Sequence, residues 1–325
     1  MPFARAARTA LRDAAREATF VTDRLAGGYA NRLWLLGDGR SGTTWASSLI
    51  NSTRRYRELF EPVHPTLQPR FRFLPIAAYA RPGEPWPELE AALGEVFSGR
   101  VRGPRLNLGA AWGGFRRDLL VKDVFANLIA AWAAPRFAPL VPVLLIRHPL
   151  ATALSKLSAD YQWIRRPTLF LEDPRLIEDH LHDVADLLRR VEARGDPLLN
   201  HVAVWAIVNA VPLRQFAPGQ AHVLFYEDCL VDPVGEMRAL HRKLGHGEDW
   251  WRIRPDVLDR PSASSRASDV GARRRSPYGA WKAQVSPEQL AAADEILAAF
   301  GLSDLYDPEG KPRREALAAF PAGGG

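Results

Sequence analysis

The chain has 325 residues, 47% hydrophobic and 25% charged, which is the balance of a soluble globular protein able to bury a sizeable core, not of a disordered chain. Its formal net charge of +6 suits an anionic ligand; the abundance of Arg over Lys beside much Ala, Gly and Pro reads as coding bias, so no nucleic-acid partner is expected. The single cysteine, Cys229, excludes an intrachain disulfide and a cysteine-rich zinc site, and fits a reducing cytoplasm.

In chain order, residues 2–20 pattern as an amphipathic helix, with Phe3, Ala7, Leu11, Ala14 and Ala18 on one face and Arg5, Arg8, Arg12 and Arg16 near another. Such a helix can lie on an anionic membrane, but its apolar face is mostly alanine, so docking on the body or fraying is preferred over peripheral membrane contact. The arginines also interrupt any secretory signal, and no apolar run approaches the ~18–20 residues that span a bilayer. The expected location is cytoplasmic.

The organising stretch is Leu33-Trp34-Leu35-Leu36-Gly37-Asp38-Gly39-Arg40-Ser41-Gly42-Thr43-Thr44-Trp45. It reads as a buried strand, a glycine-rich turn and a helix running toward Asn51. Loop amides together with the open N–H groups of a helix start make a seat for an anionic oxygen cluster. Gly37 and Gly42 have the spacing of a Walker A loop, but Thr43 stands where the lysine belongs and the positive charge has moved to Arg40. Kinase or NTPase chemistry is therefore disfavoured.

This loop resembles the phosphosulfate-binding loop of sulfotransferases that use 3′-phosphoadenosine 5′-phosphosulfate (PAPS), with Arg40 closer to the carbohydrate-type branch than to the cytosolic aryl branch. Three further elements carry the resemblance. Glu61-Pro62-Val63-His64 is similar to an element of the carbohydrate branch, in which the Glu takes the acceptor's proton. Lys122-Asp123-Val124, at the end of a strand from Leu119, matches a place where cytosolic members carry a His base, here replaced by Val124. Arg147 at the end of the Val141 strand and Ser155 on the helix after Pro149 match the family's 3′-phosphate element. A strand ending in Tyr226-Glu227-Asp228 completes the order.

The resemblance implies transfer of a sulfuryl group from PAPS to a hydroxyl of a carbohydrate, lipid or small metabolite, leaving adenosine 3′,5′-bisphosphate (PAP). No metal is called for. Arg40 would stabilise the leaving oxygen, with Ser41, Gly42, Thr43, Thr44 and Trp45 around the phosphosulfate. Lys122 would sit near the sulfuryl oxygens, and Glu61 would be the base, with Asp123 and His64 as rivals. A surface pair with Arg57 is the plain alternative for Glu61. Tyr226 would lie near the adenine or pack in the core. The basic run Arg273, Arg274 and Arg275 would close over the 3′-phosphate or stay mobile. A non-catalytic nucleotide-binding module is the remaining alternative. Oligomeric state is not legible.

Strands alternating with helices imply one α/β domain over residues 21–311, a P-loop-like three-layer sandwich with a mainly parallel sheet and helices on both faces. An insertion over about 65–118, holding Trp86 and Trp112, is read as a cover for the acceptor cleft, with a short helix over Pro87–Phe97. Tyr161–Arg194 reads as helical, and Leu198–Phe216 as an apolar helix against the sheet. Asp232 is placed as a helix cap and Ser286-Pro287-Glu288-Gln289 as a capping box. Residues 312–325 are read as a flexible tail.

Overall fold

Short runs of Leu, Val and Ile, each flanked by glycine, proline or charge, supply the strands, and proline-led segments supply most of the helices. A computed structural model describes residues 29–103, 105–107, 116–246, 253–254, 257–258 and 278–320, together with Ala10 and Ala14. Apart from those two residues, the N-terminal arm lies outside the described residues, as do Trp112 and Arg273–Arg275.

In order, the principal elements are β1 (Asn31–Gly37), α1 (Thr43–Ile50), β2 (Tyr56–Phe60), α2 (Pro87–Phe97), β3 (Asp118–Asp123), β4 (Leu140–Ile146) and α3 (Pro149–Ser158). Then come α4 (Ala185–Ala193), α5 (Pro197–Gln215), β5 (His222–Phe225), α6 (Tyr226–Val231), α7 (Pro233–Lys243) and α8 (Pro287–Ala299). The five strands form one sheet in the order β2-β3-β1-β4-β5, every neighbouring pair parallel. Because chain order reverses about β1, the crevice for a ligand opens at its carboxyl end, where the glycine-rich turn begins.

Side chains alternate across a strand, and both faces here are apolar. Trp34, Leu36, Val121 and Ile146 enter one core cluster with α2, α3 and α5; Leu33, Leu35, Leu120 and Leu145 enter another with Trp45, Leu49, Met237 and Leu240. The result is the expected three-layer α/β arrangement. Among the described residues no helix is long and apolar enough to cross a membrane.

Several local readings match their elements. Helix α2 spans Pro87–Phe97, Asp232 accepts from the Gly235 amide, and Ser286 and Gln289 form a reciprocal capping box. Others do not. Tyr161–Arg194 is not one helix: Pro167 and Pro174 lack the amide that continues a ladder, and Asp173 caps a new start by accepting from Arg175. Helix α5 runs through Pro212 and packs chiefly on α3 and α8 rather than on the sheet. Tyr56–Phe60 is a strand that its charges concealed. Arg57 is buried, donating to the Tyr29 hydroxyl and the Gly99 and Val101 carbonyls, while Glu58 accepts from Ser47. Beyond residue 312 the chain makes a 3₁₀ turn over Arg314–Ala319, and Arg314 bridges Asp228 and Glu236 at 2.7 and 2.6 Å.

One polar contact ties the turn after β1 to α3. Lys156 on α3, fully buried, places its ammonium 2.7 and 2.6 Å from the two carboxylate oxygens of Asp38. Burial pushes the Asp38 carboxyl up, and Lys156 pulls it back. Removing one partner leaves a buried, uncompensated charge, which costs about 3–5 kcal/mol. Asp38→Asn and Lys156→Met should each lose stability of that order in urea unfolding, and the double variant should lose clearly less than the sum of the two. A fully additive cycle would show that the two groups act independently.

Candidate functional site

The turn after β1 is built for close approach. A Cβ at Gly37 would lie 2.8 Å from the Leu145 carbonyl oxygen, so only glycine lets β1 and β4 run this near the turn. Gly42 begins α1 at φ 98°, a left-handed conformation that glycine adopts freely, and no side chain caps the helix. The first-turn amides therefore face outward without a side-chain acceptor. Beside them the Ser41 hydroxyl is buried and has no hydrogen-bond partner among the described residues. An uncapped helix start with an unmatched hydroxyl fits an anionic group with several oxygens.

Arg147 at the end of β4 donates to the Arg40 carbonyl at 3.1 Å, so the two sequence-predicted cationic positions meet. Its guanidinium also lies 4.9 Å from the centre of the Tyr226 ring. Tyr226 is buried, edge-on to Trp45 at 5.6 Å, and its ring covers Gly42 so closely that a Cβ there would collide with it. Tyr226 and Trp45 thus brace the turn from behind, within the core. Thr43 is buried, whereas Thr44 and Ser155 remain partly accessible.

Glu61 follows β2, the neighbour of β3, and this adjacency brings it to Lys122. The Lys122 ammonium is 2.7 Å from Glu61 Oε1 and 4.5 Å from the centre of the Phe60 ring. Arg105, from the segment between β2 and β3, donates to the other carboxylate oxygen. Glu61 therefore pairs with Lys122 and Arg105, and Arg57 pairs elsewhere. Lys122 reaches the site by way of this carboxylate.

The rival bases are already engaged. Asp123 accepts from Trp34 Nε1 at 3.0 Å and from the Val63 amide at 3.1 Å, and burial pushes its carboxyl up to about 7. His64 Nδ1 faces the amides of Thr66 and Leu67 at 3.3 Å each, which leaves the proton on Nε2 in the neutral ring. Burial, with the nearby Arg105 charge, pushes that imidazole down to about 4, so it stays neutral. It has no lone pair left for an acceptor proton. The ring packs 4.3 Å from Phe125 and 4.4 Å from Trp163.

Tyr161 escaped the sequence reading. Its ring and hydroxyl lie against Gly39, where a Cβ would collide with them. Burial, followed by the carboxylates of Asp38 and Glu61, pushes the phenol well up, so it stays a neutral donor beside the turn. Arg105 and the Asp38–Lys156 pair were likewise missed; only the Tyr and charged residue types were visible, with nothing local to bring them together.

No protein-family model matches the chain, and no curated protein matches it. Among the solved structures with which it shares a likeness are several sulfotransferases and a retinol dehydratase. One, from Alicyclobacillus acidocaldarius, is 17% identical over 82% of this chain and 96% of that one, with a TM-score of 0.38. The sulfotransferase domain from the curacin biosynthetic pathway is 15% identical over 82% and 96%, with a TM-score of 0.44. A mouse sulfotransferase complexed with PAP is 15% identical over 82% and 83%, with a TM-score of 0.39.

Backbone strain marks two of the same positions. Arg40 has φ 68° and Glu61 φ 49°, and only Arg54 and Asp160 share a positive φ among the described non-glycine residues. A left-handed non-glycine residue costs on the order of 1–3 kcal/mol and persists where the surroundings enforce it. Arg40→Gly should thus melt at or above the wild-type temperature, and Arg40→Val, whose branched Cβ opposes the same φ, below both. If Arg40→Gly were the least stable of the three, the strain would not be there.

Proposed function

We propose that the protein is a sulfotransferase moving a sulfuryl group from PAPS to a hydroxyl of a carbohydrate, lipid or small metabolite. The observation that carries this reading is the continuity of two anion seats: the uncapped start of α1, with Ser41, joined through the Arg40 carbonyl to Arg147. A doubly anionic nucleotide needs two such seats. The Walker lysine that a triphosphate would require is replaced by Thr43.

PAPS supplies the sulfuryl group; the chain's residues align and neutralise. Amides at the start of α1, with Thr44 and Ser41, hold the oxygens of the phosphosulfate end. Arg147 offers the planar fork that suits a phosphate, and Ser155 a hydroxyl donor, for the 3′-phosphate. Arg40 lies at the turn, where charge on the leaving oxygen grows as the bond to sulfur breaks; an interaction of this kind lowers the barrier rather than tightening ground-state binding. Tyr161 covers the turn at Gly39 and restricts water there.

Glu61 takes the acceptor's proton. Lys122 and Arg105 fix its two oxygens and balance its charge, and an incoming hydroxyl displaces Arg105, the more exposed of the two partners at 37% against 2% for Lys122. Lys122 is thus left beside the carboxylate, with its charge toward the reacting oxygens. Removing a general base typically costs ~10²–10⁴-fold in rate. With PAPS at saturation, and 4-nitrophenol or N-acetylglucosamine as acceptor, Glu61→Gln should lose sulfate transfer by about that factor in single-turnover measurements. His64→Ala and Asp123→Asn should lose much less. A Glu61→Gln enzyme with near wild-type chemistry would end the base assignment, and a wild-type enzyme that transfers nothing from PAPS to either acceptor while binding ATP with magnesium would end the reading as a sulfotransferase.

A further inference from the structure

Glu61 is held by two cations of different kinds, and the difference bears on the acceptor. Lys122 is buried on β3, so its ammonium cannot leave Oε1 without stranding a charge in the core. Arg105 is more than a third exposed and touches Oε2 through Nη2 alone. Because Lys122 already occupies the other oxygen, Arg105 is denied the two-bond fork that a guanidinium makes with a free carboxylate. Its side chain makes no other hydrogen bond among the described residues.

The Arg105 segment is anchored independently of that contact. The Phe60 amide donates to the Leu106 carbonyl at 2.8 Å, and Leu106 is buried. The guanidinium rests 5.5 Å from the centre of the Phe60 ring, which also lies beside the Lys122 ammonium. Releasing Glu61 therefore asks only a side-chain rotation of Arg105, not a movement of its backbone.

The cluster as it stands sets two cations against one carboxylate. Asp123, next to Lys122 in the chain, is sealed in the core with its oxygens on the Trp34 indole and the Val63 amide, and burial pushes its carboxyl up toward the neutral form. His64 is neutral. A neutral hydroxyl arriving at Glu61 would take from Arg105 its counter-ion and return none. An acceptor with a carboxylate of its own would give Arg105 a two-bond partner as Glu61 is freed.

We infer that the acceptor is anionic: a hydroxyl compound with a carboxylate close to its hydroxyl, the carboxylate drawing Arg105 off Glu61 and the hydroxyl taking the vacated place at Oε2. This names the acceptor class of the reaction proposed above and rests on that reading. Its test is a binding measurement that needs no turnover.

The matched probes are 3-hydroxyphenylacetate and 3-hydroxyphenylacetamide, which share shape and hydroxyl and differ in charge. In calorimetric titration of the full chain with PAP present, the acid should bind about tenfold more tightly than the amide, the worth of one charge-assisted contact. That comparison needs no variant. Arg105→Met keeps an apolar stem beside Phe60 and removes the guanidinium, so the acid should fall to the affinity of the amide while the amide stays within about twofold. Arg105→Lys, with the charge but not the fork, should keep part of the preference. Were Arg105 only a brace for Glu61, its loss would weaken acid and amide alike. That result would overturn the inference, as would equal binding of acid and amide, binding of neither, or a preference that survives Arg105→Met, which would put the carboxylate in an anion seat instead. An Arg105-dependent preference in a protein that transfers no sulfate would support the carboxylate contact and end the sulfotransferase reading.

Discussion

A buried ion pair between Lys156 and Asp38 sets the relation between the two halves of the proposed nucleotide seat. Asp38 belongs to the turn after β1, and Lys156 follows Ser155 on the helix after β4. Both groups are out of water, so their mutual attraction is screened little and the penalty for separating them is large. The pair thereby locks the turn that begins α1 to the helix that carries Ser155. Arg147, at the base of that helix, reaches the same turn through the Arg40 carbonyl. The two proposed anion seats, which arise on different strands, are thereby held at one spacing, as preorganised recognition of a two-ended anion requires.

Polar burial and strain gather around this lock. Arg40 and Glu61 hold left-handed backbone, and Glu61 is fixed between Lys122 and Arg105. The Glu61 amide donates to the Lys122 carbonyl at 2.6 Å, so the sheet edge itself imposes the turn that presents the carboxylate. Asp123 and His64, which flank Glu61 in sequence or in the sheet, take the structural duties instead: one receives the Trp34 indole and the Val63 amide, the other organises the turn at Thr66 and Leu67. Glu61, Asp123 and His64 thus sit close together but are held by different partners, and the base proposed above is the one with a partly exposed partner, Arg105.

What the sequence disclosed follows the range of the interactions. Strands β1, β3, β4 and β5 were legible because each is an apolar run ending in glycine or a polar residue, and α2, α3 and α8 because proline and capping residues act within a few positions. The turn after β1 was legible for the same reason. Strand β2 was not, since Arg57 and Glu58 look like surface residues until the carbonyls of Gly99 and Val101 and the hydroxyl of Ser47 are in place around them. The partners of Glu61 lie 44 and 61 residues away, and Asp38 and Lys156 are 118 apart. No local pattern encodes pairs that exist only because β3 and β4 flank their respective neighbours. Helical composition over Tyr161–Arg194 misled for the converse reason: local propensity was sound, but two prolines interrupt the ladder.

The central claim is that the turn after β1 and the Arg147–Ser155 element form one seat for a nucleotide bearing phosphate at both its 5′ and 3′ ends. A crystal structure of the protein soaked with PAP measures this directly. The account predicts the 5′-phosphate within hydrogen-bond distance of the amides at the start of α1, with the Ser41 hydroxyl engaged, and the 3′-phosphate on Arg147 and Ser155. A nucleotide found elsewhere, or one anchored at the turn with its 3′-phosphate directed to solvent, would contradict it.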